Sequence, residues 1–152
     1  MKGVFGLNSH MDLFKKLEWE FAQLTAEPDN AYLAYNFFVT AWHLLDWKYP
    51  SVTDTSIRNK IREQTPLLQI CEHLAVGSKH FDPRSKHLKA VSDSKRGGVW
   101  AEGTWASDAW KEGAWASWLV VSLTGDAQKI YGDQIRVQDL AGHVMYYWKS
   151  TI

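Results

Sequence analysis

The chain is poor in several features that mark particular classes of protein. Its 152 residues include one cysteine, Cys71, so an internal disulfide is impossible and a reducing compartment is favoured. Lys and Arg balance Asp and Glu at 17 each, so no net charge draws the whole molecule to nucleic acid or a membrane. The N-terminus lacks the apolar core of a secretory signal, and the longest apolar stretch, residues 31–47, is too short and too polar for a bilayer span. We therefore expect a cytoplasmic protein with no membrane partner.

The periodicity of the apolar residues predicts a mainly α fold. Apolar side chains at helical spacing, with Pro and Gly at the boundaries, predict helices over about residues 11–24, 29–48, 54–64, 66–76 and 137–149. The second of these is apolar around most of its circumference, so we expect it to be the buried centre of a bundle. Gly77 is placed to end the fourth helix. A length of 152 residues is typical of one domain, so we expect a single helical domain over 1–152 with four or five helices.

A small Trp- and Gly-rich β insertion is predicted before the last helix, at about residues 88–136. Extended segments are expected at 88–93, 99–105, 117–123 and 134–137. Tryptophan recurs every five residues at Trp100, Trp105, Trp110 and Trp115, and Trp118 follows. A period of five fits neither a strand nor a helix, so these rings cannot share one face of a regular element. Three roles are open for the tryptophan rings: they cover the bundle, form an oligomer interface or stack on a ligand. Burial or self-association is favoured over stacking on a ligand.

Two polar stripes mark the second and fourth predicted helices. Asn36, Thr40 and His43 lie on one face of an otherwise apolar helix, with Asp46 on its flank. His73 and His80 repeat the seven-residue spacing further along the chain. Buried groups of this kind usually hydrogen-bond one another inside a bundle. The functional alternative is that the three histidines converge.

Convergence of these histidines allows two kinds of chemistry. His43, His73 and His80 are candidate catalytic residues, because imidazoles near neutral pKa act as acid and base. A metal held by His43, His73 and Asp46 is the weaker alternative, since no known metal-ligand spacing is present, and we expect no metal. Cys71 lies between apolar neighbours and is expected to be a core residue.

A basic segment follows the second stripe. Six Lys or Arg residues against two Asp lie between positions 79 and 96, in a chain that is neutral overall. A local excess of this kind is typical of a site for a phosphate backbone or a nucleotide, and a solvated loop is the alternative. The candidate ligand-binding residues are Lys79, Arg84, Lys86, His87, Asn36 and Asp46.

Residues 36–47, Asn-Phe-Phe-Val-Thr-Ala-Trp-His-Leu-Leu-Asp-Trp, and residues 70–81, Ile-Cys-Glu-His-Leu-Ala-Val-Gly-Ser-Lys-His-Phe, resemble a family of small bacterial and phage-associated proteins. The resemblance implies a helical core. The helical bundle with a polar helix ending at Lys79 and His80 is also distantly similar to HEPN domains. Many of these are dimeric, metal-independent ribonucleases whose catalytic pair is an Arg and a His separated by four to six residues.

The match to this HEPN pair is partial. The positions allowed for the arginine ahead of His80 hold His73, Leu74 and Ala75. Arg136 and His143 have the required spacing, but Val137 follows the arginine where the family prefers a small polar residue.

The sequence as a whole predicts a homodimeric binding domain for an anionic partner, RNA or a nucleotide, without a cofactor. The resemblance places it in phage defence or on a mobile element. A HEPN-like ribonuclease and a protein-interaction module that uses the Trp-rich segment are the alternatives.

Overall fold

The computed structural model describes residues 3–79, 88–97 and 118–152, and within them the chain is mainly helical. Six helices and three strands occupy these residues: α1 (His10–Ala26), α2 (Ala31–Lys48), α3 (Thr55–Gln64), α4 (Pro66–Lys79), β1 (Val91–Gly97), β2 (Trp118–Leu123), α5 (Gly125–Tyr131), β3 (Gln134–Arg136) and α6 (Val137–Thr151). The predicted fold class is therefore confirmed: a mainly α protein with a small sheet before the last helix.

The core forms around α2, as its apolar circumference predicts. The helix begins where the Asn30 side chain accepts the backbone N–H groups of Tyr32 and Leu33, and it ends before Tyr49 and Pro50, where proline disfavours helical backbone. Its neighbours are α1, α4 and α6. The largest fully buried side chains of the core come from all four helices and the sheet: Leu17, Leu24, Phe37, Leu44, Leu45, Leu68, Ile70, Val121, Leu140, Val144 and Trp148.

One polar contact crosses the α1–α2 interface. The Lys16 ammonium group donates to the carboxylate of Glu20 one turn later and to the hydroxyl of Thr40, with 2.7 Å between Lys16 Nζ and Thr40 Oγ1. Glu20 is 3% exposed and Thr40 is 4% exposed, so both are buried among apolar side chains. Among the described residues Glu20 Oε2 has no hydrogen-bond partner, so Lys16 is the cation that compensates this buried carboxylate there.

The three strands form an antiparallel sheet in the order β1-β2-β3. A bulge at Ser92 shifts the register of β1, so that Val91 pairs with Leu123 whereas Asp93 pairs with Ser122. Paired residues share a face of the sheet. The inner face packs on the helical core through Leu119, Val121, Leu123 and Ile135, and Ser94 and Arg96 of β1 share that face. The outer face carries Asp93, Lys95, Trp118, Val120, Ser122, Gln134 and Arg136.

Local details differ from the prediction at three places. The extended segment expected at 88–93 is observed as β1 over Val91–Gly97. The predicted end of α4 at Gly77 is wrong, because the helix continues to Lys79 and Gly77 is an interior residue. The segment around Gly125, which lies in the predicted β insertion, forms the short helix α5, and the Thr124 carbonyl begins this helix by accepting the N–H of Gln128. No helix within the described ranges is both long and apolar enough to cross a membrane.

Candidate functional site

A cleft of about 710 Å³ separates the inner face of the sheet from α2 and α4. We call it the sheet–helix cleft. The helices contribute Ala31, Ala34, Tyr35, Phe38, His73, Leu74 and Gly77, and the strands contribute residues 91–96 and 119–121. Its floor is apolar, whereas its rim carries the half-exposed ring of Tyr35 and the charged side chains of β1. A cleft of this size and mixed lining is typical of a site for a small organic ligand.

His73 lies where α4 meets the start of the sheet. Its Nδ1 accepts the backbone N–H of Val91 at 3.2 Å. Burial lowers the pKa of His73 below its ordinary value of 6.5, so the side chain is neutral at pH 7. Because Nδ1 accepts, the proton of the neutral ring is on Nε2, and His73 offers its second nitrogen as a hydrogen-bond donor.

Arg96 brings a cation to the opposite side of the cleft. Arg96 Nη2 donates to the backbone carbonyl of Asp29 at 3.1 Å, and Nη1 lies 3.6 Å from the Asp29 carboxylate. Both side chains of this pair are about half exposed to solvent, so the ion pair adds little to stability. The pair therefore positions a guanidinium group at the mouth of the cleft without burying it.

The predicted polar stripe of α2 does not form one site. Thr40 is buried against Lys16, whereas Asn36 and His43 are exposed. The stripe splits because α1 covers one edge of it and no described element covers the other. His43 lies 3.9 Å from Asp46, a contact separate from the cleft that holds His73. The described part of the chain therefore does not bring these two histidines to a common partner.

Asp46 joins α2 to α3. Arg62 Nη2 lies 2.8 Å from the Asp46 carboxylate, and Arg58 Nε lies 3.3 Å from it. The Arg62 guanidinium also stacks 4.3 Å from the centre of the Trp42 ring. Asp46, predicted to bind a ligand, is thus engaged by two arginines of the same chain, and this arrangement favours a structural role.

Most of the predicted basic segment lies outside the described residues. His80, Arg84, Lys86 and His87 fall there, as does the Trp repeat from 100 to 115. Lys79 is the last residue of α4. Since Gly77 lines the sheet–helix cleft, the chain enters the basic segment close to that cleft. The grouping of these residues as one ligand site stays a prediction.

The alternative HEPN pair, Arg136 and His143, has two separate environments. The Arg136 guanidinium lies 4.5 Å from the centre of the Trp118 ring at the end of β3. His143 lies on α6 with its ring centre 5.3 Å from that of Tyr131. Arg136 and His143 thus contact different aromatic side chains, and both residues are exposed.

Sequence reasoning missed two members of the cleft. Tyr35 was expected in the core because the whole helix is apolar, yet the N-terminal part of α2 faces the cleft mouth. Arg96 was noted only as a continuation of the basic segment. Its neighbour Lys95 has the same charge. Side chains alternate along a strand, so the two point to opposite faces of the sheet, and this alternation is the signal that distinguishes Arg96 from Lys95.

A second cavity of about 600 Å³ lies between α3, α4 and α5. Its rim alternates in charge, with Arg62 and Lys89 beside Glu63, Glu72 and Asp126. Such a rim favours no single sign of ligand. Within the described ranges, no group of three or more His, Cys, Asp or Glu residues is arranged to hold a metal ion.

No protein-family model matches the chain, and comparisons with curated proteins and with solved structures also give no match.

Proposed function

We propose that this chain is a binding domain for RNA or a nucleotide, and that the ligand enters the sheet–helix cleft. The observation that carries the proposal is the joint presence of an aromatic ring, a neutral imidazole and a guanidinium group around one cleft. These are the groups of Tyr35, His73 and Arg96. Proteins bind single nucleotides with aromatic rings that stack on the base and with cations that meet the phosphate.

The dimensions of the cleft fit this class of ligand. Pockets for small organic molecules and cofactors span roughly 300–1,000 Å³, and the volume of 710 Å³ falls within that range. The apolar floor around Phe38 and Val121 suits a base, whereas the hydroxyls of Ser92 and Ser94 suit a sugar or phosphate.

The different charges of His73 and Arg96 also support the proposal. His73 is neutral at pH 7 and donates through Nε2, which suits a carbonyl or ring nitrogen of a base. Arg96 is exposed and permanently charged, and a guanidinium group can hold a phosphate with two parallel N–H groups.

Titration with the four ribonucleoside 5′-monophosphates, followed by calorimetry, tests the proposal. Arg96→Gln is expected to weaken binding roughly tenfold or more, since a charged hydrogen bond contributes about 1.5–3 kcal/mol. Asp29→Asn is the matched control, because it breaks the same ion pair but keeps the cation. Equal losses in the two variants would assign Arg96 a structural role, and absence of binding in the wild type would refute the proposal.

The same samples decide between binding and cleavage. Labelled RNA recovered on a denaturing gel is expected to remain intact, since the described histidines share no partner. Cleavage that is lost in His73→Ala and retained in His43→Ala would replace the binding function by a ribonuclease.

The proposed domain acts as a homodimer in phage defence or on a mobile element. This part is supported by the resemblance to phage-associated and HEPN-like proteins. Sedimentation equilibrium at micromolar concentration tests it, with a monomer as the contradicting result.

A further inference from the structure

The outer face of the sheet carries a row of residues that crosses all three strands. Lys95 of β1 pairs with Val120 of β2, and Val120 pairs with Arg136 of β3. Adjacent strands lie about 4.8 Å apart, so the two cationic residues leave the backbone roughly 10 Å from each other. Val120 is buried but does not belong to the main core cluster, as expected for the face opposite the helices.

Both cations of this row are exposed, and neither forms an ion pair within the part of the chain that the structure describes. Asp93 is the acidic residue on this face, and it lies one pair further along, opposite Ser122. The half of the outer face around Lys95 and Arg136 is therefore positively charged, in a molecule whose formal net charge is zero.

An aromatic ring lies beside this positive pair. Trp118 is two residues before Val120 on the same face, and the Arg136 guanidinium lies over its ring at 4.5 Å. A guanidinium held on an indole keeps its outward surface for a second planar group. Bases of single-stranded RNA stack on such planes, whereas bases in a duplex are already stacked on each other.

β1 is one of the two edge strands of the described sheet, so a ligand that passes around this strand goes from one face of the sheet to the other. Consecutive residues of a strand point to opposite faces, so Arg96 faces the sheet–helix cleft and Lys95 faces outward. A flexible strand that crosses this edge contacts both cations.

We propose that the ligand is single-stranded RNA, with one nucleotide in the sheet–helix cleft and the next nucleotides across the β1 edge on Lys95, Trp118 and Arg136. This inference rests on the proposed function, since it places the first nucleotide in the cleft. It adds the partner class and a second contact surface that a free nucleotide does not reach.

Fluorescence polarisation with a labelled octauridylate RNA, beside calorimetry with uridine 5′-monophosphate, tests the inference. Lys95→Ala and Arg136→Ala are each expected to weaken octamer binding about threefold to tenfold. Arg136 does not line the sheet–helix cleft, so Arg136→Ala is also expected to leave monophosphate binding unchanged. Each of the two variants is also expected to lower the slope of log affinity against log salt by about 0.7, the value for one neutralised phosphate of a single strand. Arg136→Lys keeps the charge, so it should retain the wild-type salt slope but lose affinity through the missing planar surface.

Lys149→Ala is the matched charge control, because Lys149 is an exposed lysine thirteen residues from Arg136, roughly 20 Å away along α6. Losses in Lys95→Ala and Arg136→Ala no larger than in Lys149→Ala would overturn the inference while leaving the cleft proposal intact. Equal binding of an octaglutamate peptide would also overturn it, by showing that charge alone is recognised. Failure of monophosphate binding in the wild type would instead refute the cleft proposal.

Discussion

Replacing Lys16 by Met is expected to destabilise the fold by about 2–3 kcal/mol at pH 7. Removing one partner of a buried ion pair typically costs about 3–5 kcal/mol, because the other charge is left without compensation. Here the Glu20 side chain is 4% exposed, whereas the Lys16 side chain is 39% exposed, so water already reaches the ammonium group and we place the loss below that range. The loss should not reach zero, since Glu20 Oε2 has no hydrogen-bond partner within the part of the chain that the structure describes.

Chemical denaturation and thermal unfolding measure this loss. For a chain of this length, each kcal/mol shifts Tm by roughly 2–4 °C, so Lys16→Met should lower Tm by about 5–10 °C. The double variant Lys16→Met with Glu20→Met removes both charges and is expected to recover to within about 1 kcal/mol of the wild type.

The double variant separates lost charge compensation from lost packing. A loss in Lys16→Met that the added Glu20→Met recovers comes from the uncompensated carboxylate. A loss of the same size in the single and double variants would assign it to packing of the lysine stem. A variant within 0.5 kcal/mol of the wild type at pH 7 would refute the reasoning altogether.

Three further predictions follow from individual contacts. Burial lowers the pKa of His73, so the stability that its neutral form provides is present above pH 6.5 and is lost as the pH falls below that value. His73→Asn keeps an acceptor for the Val91 N–H and should remove this pH-dependent loss of stability, as measured by urea titrations. Burial raises the pKa of Cys71 to about 12, so a thiol reagent at pH 8 should label it only at the rate of unfolding, and labelling within seconds would contradict its place in the core. Asp46→Asn should lower the free energy of unfolding by only about 1 kcal/mol, because Arg62 keeps its stacking contact with Trp42. A loss above 3 kcal/mol in thermal unfolding would contradict this expectation.

The helices were predictable because their signals are local. Pro66 marks the start of α4 and the apolar circumference of α2 marks its burial, and both are confirmed. Gly77 was misleading, because a glycine costs only about 1 kcal/mol inside a helix, and the neighbouring packing of α4 exceeds that cost. The helix α5 was missed, because seven residues give too short a window for a periodic signal.

The candidate site was less predictable, because it depends on contacts between distant segments. Thr40 was noted as polar in an apolar helix, but its partner Lys16 lies 24 residues earlier and no spacing rule connects the two. Arg96 and Lys95 look alike in sequence, and only the strand register assigns them to opposite faces. Of the three histidines that could converge, the described pair, His43 and His73, have different partners: His43 lies beside Asp46, and His73 accepts the backbone N–H of Val91.

The bulge at Ser92 makes one position of β1 tolerant to a change in chain length. The hydrogen bond from Val91 to His73 fixes the strand at one end, and pairing with β2 fixes it from Asp93 onward. Ser92 is the extra residue between these two fixed points, with its hydroxyl 3.4 Å from the Ser122 carbonyl. Deletion of Ser92 leaves a regular strand with every later side chain on its present face. Insertions and deletions in related sequences should therefore be accepted at this residue, and a deletion further along β1 should be excluded because it exchanges the faces of the cationic side chains.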